Sequence, residues 1–212
     1  MSKKADLIKL FGEYKDRYNT VLAKLTEIRN SDAFTSTGKE QAINKLMEEF
    51  KPTAQLYHDK AIEAIDGGLA GLQAKWRANS SGRLSDAGYQ LGLGNVLRML
   101  EAGAIRDRDD MQNIIDTYKD DYNAMATIKS LISKSSQTMD FIGIIPVDPR
   151  EENKRLLGQL RNNVDLDINP SMARMGFNTG NSFLGTSSVS MAMDSMADFV
   201  NTRLADDLSL LG

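Results

Sequence analysis

The sequence contains no cysteine and only one histidine, His58, among its 212 residues. The lack of thiols excludes disulfide bonds, thiolate zinc sites and cysteine nucleophiles. A single imidazole excludes the His-rich metal sites and most acid–base triads. No apolar run approaches the roughly 20 residues that a membrane-spanning helix needs. The first residues are charged and lack the apolar core of an export signal, so we expect the protein to stay in the cell that makes it unless an assembly carries it out.

The composition is that of a folded chain. Apolar residues make up 41% and charged residues 26%, which is neither a disordered nor a membrane-embedded composition. The net charge of −3 is too small to indicate a nucleic acid or an anionic membrane as the partner.

Apolar side chains in the first 30 residues alternate at spacings of four and three residues. This heptad pattern predicts a helix of roughly 25 residues with one narrow apolar seam, which must pack against another helix. We predict that the seam drives self-association into a homo-oligomer, which replacing Leu25 by Asp would dissociate. The seam residues are Leu7, Phe11, Tyr14, Tyr18, Val21, Leu25 and Ile28.

The same alternation continues from Ile43 to Ala64 and predicts a second, antiparallel helix after a connection at 30–36. Thr37 and Glu40 have the spacing of a capping box. Pro52 predicts a kink within this helix, and the polar segment 79–82 predicts its end.

Further helical patterns follow, with Gly103 as the terminator of the first and Asp148 as the N-cap of the last. Residues 141–147 are short, apolar and β-branched, which fits either a strand or an extended segment across a bundle. The predicted helices span 85–102, 107–134 and about 149–163.

Residues 164–188 are poor in charge and rich in Asn, Ser, Gly, Thr and Met, which predicts a flexible arm. An apolar stripe then predicts an amphipathic C-terminal helix that docks on a neighbouring subunit or a coat component. Its methionines suit an adaptable binding surface, and they equally suit a core beneath a docked helix. The docking-helix residues are Val189, Met193, Met196, Val200, Leu204, Leu208 and Leu211.

Together these patterns predict an all-α fold: a long helical hairpin with a coiled-coil-like seam, packed into a helical bundle, with an extended arm and a C-terminal amphipathic helix. The predicted divisions are a helical domain at 1–134, an apolar segment with a short helix at 135–163, and the arm with its docking helix at 164–212.

Motifs that could carry chemistry are incomplete. Asp59 follows His58 directly and is expected to point elsewhere on the helix, so the histidine is interpreted as structural. The glycines of 88–94 lack the Gly-Lys-Ser/Thr ending of a phosphate loop and instead suit close helix packing. Residues 165–169 imitate the start of a calcium loop, but Pro170 stands where the turn requires Gly. We predict no catalytic, cofactor or metal site, and no enzymatic activity.

The opening combines a heptad helix, the segment Asp32-Ala33-Phe34-Thr35-Ser36-Thr37-Gly38-Lys39 and a second long charged helix. Over residues 1–75 it resembles small helical proteins from phage and prophage structural genes. The resemblance implies a non-enzymatic structural or assembly protein that binds itself and another virion or host protein. Its location would be the bacterial host cytoplasm or the virion. The alternative is a monomeric binding module, a phage-encoded adaptor or inhibitor of a host protein, in which the seam is internal.

Overall fold

The computed structural model describes residues 2–134, 138–168 and 183–211. Within these ranges the chain forms seven α-helices and one 3₁₀ helix, and the predicted all-α fold is confirmed. No helix in the same ranges is both long and apolar enough to cross a membrane. The elements are α1 (Lys3–Asn30), α2 (Ser36–Leu84), α3 (Ala87–Glu101), α4 (Arg108–Tyr118), α5 (Tyr122–Ile132), the 3₁₀ helix (Met139–Ile144), α6 (Pro149–Asp167) and α7 (Phe183–Arg203).

The chain forms two compact units. One, the bundle unit, combines Met1–Leu72 with Asn153–Gly212; the other, the inserted unit, is Gln73–Glu152. The predicted divisions at 134 and 163 differ from this arrangement. Periodicity indicates local helices only, whereas the bundle unit arises because α6 returns to contact α2 and α7 returns to pack on α1.

Helices α1 and α2 form the predicted antiparallel hairpin of the bundle unit. Lys3 Nζ donates to the Gly67 carbonyl at 3.1 Å, and the Tyr57 hydroxyl donates to Glu13 at 3.4 Å. Residues later in α1 therefore contact residues earlier in α2, so the two helices are antiparallel. Aromatic rings fill the space between the helices, with the Tyr14 ring centroid 6.1 Å from that of Phe50.

Helix α7 runs antiparallel to α1, and it is the helix of the bundle unit that lies nearest to α1. Lys15 Nζ contacts the Asp194 carboxylate at 2.6 Å, and Ser190 Oγ donates to Asn19 Oδ1 at 2.7 Å. Since α6 is antiparallel to α2, as its ion pairs show below, the four helices alternate in direction, as in an up-down bundle.

The start and the end of α2 differ from the predictions. Thr35 caps the helix, with Oγ1 accepting from Gly38 N at 3.2 Å, so the predicted capping box of Thr37 and Glu40 is wrong. The helix also continues through Pro52 and past 79–82 to Leu84. Buried Phe50 and Ala54 on either side of Pro52 hold both parts on the bundle, so packing offsets the lost hydrogen bond.

The inserted unit has a core of its own, which α3, α4, α5 and the 3₁₀ helix enclose. The predicted single helix at 107–134 is wrong, because Asp121 ends it and caps a new one: Oδ1 accepts from Asn123 N at 3.0 Å and from Ala124 N at 3.1 Å. Segment 141–147 begins within the 3₁₀ helix and is not a strand. The buried core residues are Leu100, Ile105, Met111, Ile115, Tyr118, Ala124, Met125, Ile128, Ile132, Phe141 and Ile145.

Two helix ends follow the sequence closely. Gly103, with φ 63°, ends α3 as predicted; its N–H donates to Leu100 O at 3.1 Å and the next N–H donates to Met99 O at 2.9 Å. Asp148 caps α6 by accepting from Arg150 N at 2.9 Å. Helix α6 nevertheless extends to Asp167, beyond its predicted end near 163.

The predicted arm at 164–188 is helical at both of its ends, since 164–167 belong to α6 and 183–188 to α7. Its central part, 169–182, lies outside the described residues.

Candidate protein-interaction surfaces

Both apolar stripes predicted for association are buried within one chain. Six of the seven seam residues are buried in the bundle unit, and Ile28 is half-buried. Six of the seven docking-helix residues are also buried, and Leu211 is exposed. Because α7 lies against α1 of its own chain, each stripe covers the other. In this fold the seam is not a free self-association surface, and the docking helix docks on its own bundle.

A hook of residues 204–211 completes the bundle unit after α7. Ala205 N donates to Ser209 O at 2.7 Å, and Leu211 N donates to Arg203 O at 3.0 Å, which folds the chain back on itself. Leu208 lies at the tip with φ 69°, in the left-handed region that costs a non-glycine residue about 1–2 kcal/mol. Such a conformation persists only where the surroundings fix it.

The surroundings of Leu208 do fix it. Its side chain is fully buried and rests on Gly68 of α2, where an added Cβ would lie 2.5 Å from Leu208 Cδ1. Buried Asn153 of α6 donates through Nδ2 to the Leu208 carbonyl at 3.0 Å. Lys4 N of α1 donates to Asp206 O at 3.3 Å. The hook thus fastens three helices, and its role is to close the bundle.

A second polar cluster joins α2 to α6. His58 lies between two carboxylates, with Nδ1 3.0 Å from Asp59 Oδ1 and Nε2 2.9 Å from Asp165 Oδ1. The expectation that Asp59 points away from His58 is therefore wrong. Hydrogen bonds from His58 and Gln55 lower the pKa of Asp59 below its ordinary value.

Arg161 extends the same cluster. It contacts Asp165 at 3.1 Å and Asp66 at 3.4 Å, which sets α6 antiparallel to α2. The cluster fixes the register of these helices. No group of three or more His, Asp or Glu residues in the described part of the chain is placed to hold a metal ion.

Helix α3 of the inserted unit has one covered face and one outward face. One face packs on the core through Tyr89, Leu93, Val96 and Leu97, which are partly buried, and through Leu100, which is fully buried. These positions follow helical spacing, so the opposite face must look outward.

That outward face carries two exposed large apolar side chains and little charge. Leu91 is 67% exposed and Met99 is 48% exposed, and exposed Ala87, Gly88 and Asn95 lie on the same side. Its one charged member is Arg98, and no charged side chain occurs anywhere in 87–97. A surface helix normally directs charged and polar residues to solvent. Leu91 and Met99 make this face a candidate interaction surface.

Tyr89 anchors α3 in this orientation. Its hydroxyl donates to Asp121 Oδ2 at 2.8 Å, its ring packs edge-on against Tyr118 at 5.3 Å between centroids, and the Arg83 guanidinium lies 5.3 Å above it. Burial raises the pKa of Tyr89, so the phenol stays protonated as a donor near neutral pH. The face of α3 is therefore held rigidly.

The glycines of 88–94 serve different purposes. An added Cβ at Gly92 would lie 3.1 Å from the Tyr118 hydroxyl, so the predicted close packing holds there. At Gly94 an added Cβ would meet nothing within 4 Å. This outward face was not predicted from the sequence, although eleven consecutive uncharged residues at 87–97 indicate it.

The inserted unit also carries a small cleft of about 80 Å³. Tyr122, Met125 and Ile145 line it, beside Val147, which is 81% exposed. The charged residues Lys119, Lys129 and Asp148 also line it. The cleft has room for one apolar side chain and is a secondary candidate for contact with a partner.

No family model, curated protein or solved structure matches this chain. The resemblance to phage structural proteins stays a prediction, and any function must be argued from the surfaces described above.

Proposed function

We propose that the protein is a non-enzymatic, virion-associated structural or assembly protein of a phage, and that it acts by contact with other protein subunits. The observation that carries the proposal is the apolar outward face of α3. Such a face costs solubility in a free protein and contributes binding energy when a partner covers it, at about 25 cal/mol per Å² of apolar surface.

The two units support a division of roles. The bundle unit uses its apolar stripes internally and is closed by a strained but well-anchored hook. The inserted unit has an independent core and presents Leu91 and Met99 to solvent. A bundle unit with a covered apolar core, joined to a unit that exposes the α3 face, suits a component that stays unassembled until its partner is present. The phage setting itself is taken from the resemblance of residues 1–75.

The test is the presence of the chain in purified particles. Cells that carry the gene in its native context are induced to make particles, which are purified on a density gradient and probed with an antibody to the chain. Co-sedimentation in constant ratio to the coat protein is expected, and deletion of the gene should lower the particle yield. Normal particles from the deletion, with the chain confined to the soluble extract of wild-type cells, would refute the proposal.

The second candidate is a monomeric binding module, a phage-encoded adaptor or inhibitor of a host protein. Burial of both predicted association stripes within one chain favours it. In that case the α3 face engages a host protein, and the mass of the chain in solution stays near 23.4 kDa at every concentration. A concentration-dependent increase in mass would count against this candidate.

A further inference from the structure

The cleft of the inserted unit is built on one face of α5. Tyr122, Met125, Ala126 and Lys129 line it at spacings of three, one and three residues, which place them on the same side of the helix. Residues 145–148, which follow the 3₁₀ helix, also line it. Met125 is a buried core residue, so the base of the cleft is held in place by the core of the inserted unit.

The size of the cleft limits what can occupy it. Sites for small molecules and cofactors usually have volumes of about 300–1,000 Å³, whereas this cleft has about 80 Å³. That space holds one aliphatic side chain and is too small for a molecule of cofactor size. The occupant that fits is therefore a single side chain that projects from a segment of another protein.

The edge of the cleft is apolar and open to solvent. Val147 is 81% exposed, and Ala126 and Pro146 are exposed beside it in the lining. A partner segment that places an aliphatic side chain in the cleft would cover these groups as well. Removal of this apolar surface from water is the favourable contribution to such a contact.

Two lysines mark the ends of the lining face of α5. Lys119 lies in the turn before the helix and Lys129 lies in its last turn. Lys129 is exposed, and no ion pair within the described part of the chain engages its ammonium group. Lys119 contacts Asp116 at 3.4 Å, but both side chains are half exposed. A surface pair of this kind contributes little to stability, so Lys119 can exchange its partner.

Asp148, the acidic residue of the lining, is already paired. Arg150 Nε donates to both of its carboxylate oxygens, at 3.0 Å and 2.9 Å, and Arg150 Nη2 donates to Oδ2 at 2.6 Å. The guanidinium carbon lies 5.0 Å from the centre of the Tyr122 ring, so this third cation is also beside the cleft. The arginine thus offsets the charge of Asp148, and the two lysines are left to pair with a partner.

We propose that the cleft binds an acidic segment of a partner protein, with one aliphatic side chain in the cleft and carboxylates on Lys119 and Lys129. The proposal rests on the proposed function and names the chemistry of a partner. Charge complementarity gives such a contact its specificity and increases its association rate. A basic segment would meet two ammonium groups, and a nucleic acid has no aliphatic side chain to place in the cleft.

The affinity of an isolated segment is expected to be low. One aliphatic side chain and two exposed ion pairs cover less than the roughly 1,200 Å² of total area that a stable interface requires. We expect a dissociation constant of about 0.1–1 mM for a short peptide. Since salt screens exposed charges, the affinity should fall several-fold between about 50 mM and about 500 mM NaCl.

The test is two-dimensional NMR of the nitrogen-15-labelled full chain, with synthetic peptides added to about 2 mM. The acidic probe is Gly-Glu-Glu-Ser-Leu-Ser-Glu-Glu-Gly with both termini blocked, and it should shift the backbone amides of Tyr122, Ala126 and Lys129. A matched probe with Gln for every Glu should bind at least about fivefold more weakly, and one with Lys for every Glu should not bind. Gly in place of the Leu should weaken binding about tenfold.

Two pairs of variants locate the contact. Ala126→Phe fills the cleft from its exposed edge and should weaken binding about tenfold or more, whereas Thr127→Phe, at the next exposed position and outside the lining, should not change it. Lys129→Glu should weaken binding at least about fivefold, and the control is Lys134→Glu, at an exposed lysine beyond the end of α5. All four positions are exposed, and far-UV circular dichroism confirms that each variant is folded.

The outcomes separate this inference from the proposed function. The acidic segment is overturned by an acidic probe that causes no shifts at 2 mM, by a Gln or Lys probe that binds as well, or by binding that Ala126→Phe and Lys129→Glu leave intact. Each of these results leaves incorporation into particles untouched. Conversely, binding of the acidic probe with the expected variant pattern supports the inference even where the chain is absent from particles.

Discussion

Replacing Gly68 by Ala tests the seating of the hook on α2. The new Cβ would lie 2.5 Å from Leu208 Cδ1, 3.4 Å from Cγ and 3.5 Å from Cβ. Since carbon atoms in contact prefer about 3.5–4.0 Å, the terminal methyl must move by roughly 1 Å. Leu208 is fully buried and its backbone is fixed at φ 69°, so little room for that movement exists. Overpacking of this kind costs about 1–3 kcal/mol.

Gly67 is the matched control one position earlier. A Cβ there meets nothing within 4 Å, and the Lys3 hydrogen bond uses only the Gly67 carbonyl. Gly67→Ala should therefore show the helix-propensity gain alone and raise the free energy of unfolding by about 0.5–1 kcal/mol. Gly68→Ala has the same gain and the added clash. The difference between the two variants is the quantity of interest, and we expect about 1–3 kcal/mol.

Urea denaturation followed by far-UV circular dichroism measures both variants, with the two units fitted as separate transitions where the curves require it. Equal stabilisation by Gly67→Ala and Gly68→Ala would refute the seating of Leu208 on Gly68. A double-mutant cycle with Leu208→Ala adds a second check. Once the leucine is truncated, Gly68→Ala should become as favourable as Gly67→Ala, and the coupling isolates the contact from the general cost of losing Leu208.

Three further predictions concern buried polar and apolar groups. Leu25→Asp places a charge in the bundle unit and should abolish the cooperative unfolding transition of that unit, while Thr26→Asp on the exposed side should not. A folded monomer from Leu25→Asp would restore the seam as a candidate oligomer contact. Asp121→Ala removes the cap of α5 and the acceptor of the Tyr89 hydroxyl, so it should lower the free energy of unfolding by roughly 2–4 kcal/mol. Denaturant unfolding should show a smaller loss for Asp121→Asn. Equal losses for the two variants would contradict the cap. Burial raises the pKa of Tyr18 to about 12, so its contribution to stability is complete below the unfolded value near 10 and is lost as pH rises through 12. At about 1.4 kcal/mol per pKa unit, the free energy of unfolding should fall by roughly 2–3 kcal/mol over that range. Tyr18→Phe should reduce the slope of the free energy of unfolding against pH, measured by urea denaturation at alkaline pH. An unchanged slope would contradict the role given to Tyr18.

Local physics made much of the fold predictable. The heptad spacing of Leu7 to Leu25 marked the buried face of α1 residue by residue, and Gly103 and Asp148 marked helix ends through backbone rules that need no tertiary information. The split between α4 and α5 was missed because Asp121 lies in an otherwise continuous apolar pattern. Asp121 also accepts a hydrogen bond from the Tyr89 hydroxyl, 32 residues earlier in the chain, and no local pattern reports that contact.

The helix that packs on each apolar stripe could not be predicted from the sequence. The α1 seam requires a helical neighbour, and periodicity cannot say whether that neighbour is in the same chain or in another. The structure supplies it internally, through α2 and an α7 that begins more than 150 residues later. The same ambiguity concealed α3, since an uncharged glycine-rich helix looks like core until the structure shows that only one of its faces is covered.

The sequence separation of their contacts leads us to expect different folding rates for the two units. The folding rate in turn bears on which unit is suited to carry a binding face. Closing the bundle requires contacts such as Lys15 with Asp194 and Lys4 with Asn201, which span 179 and 197 residues and carry the loop-closure cost of distant pairings. The contacts of the inserted unit, such as Tyr89 with Asp121, span only 32 residues. The inserted unit is therefore expected to fold early, before α7 has covered the seam of α1. During that interval a binding face on the bundle unit would be incomplete, and the exposed seam would compete with it for apolar partners. The face of α3 rests on a core that is already complete, which makes it the better place for contact with a second chain.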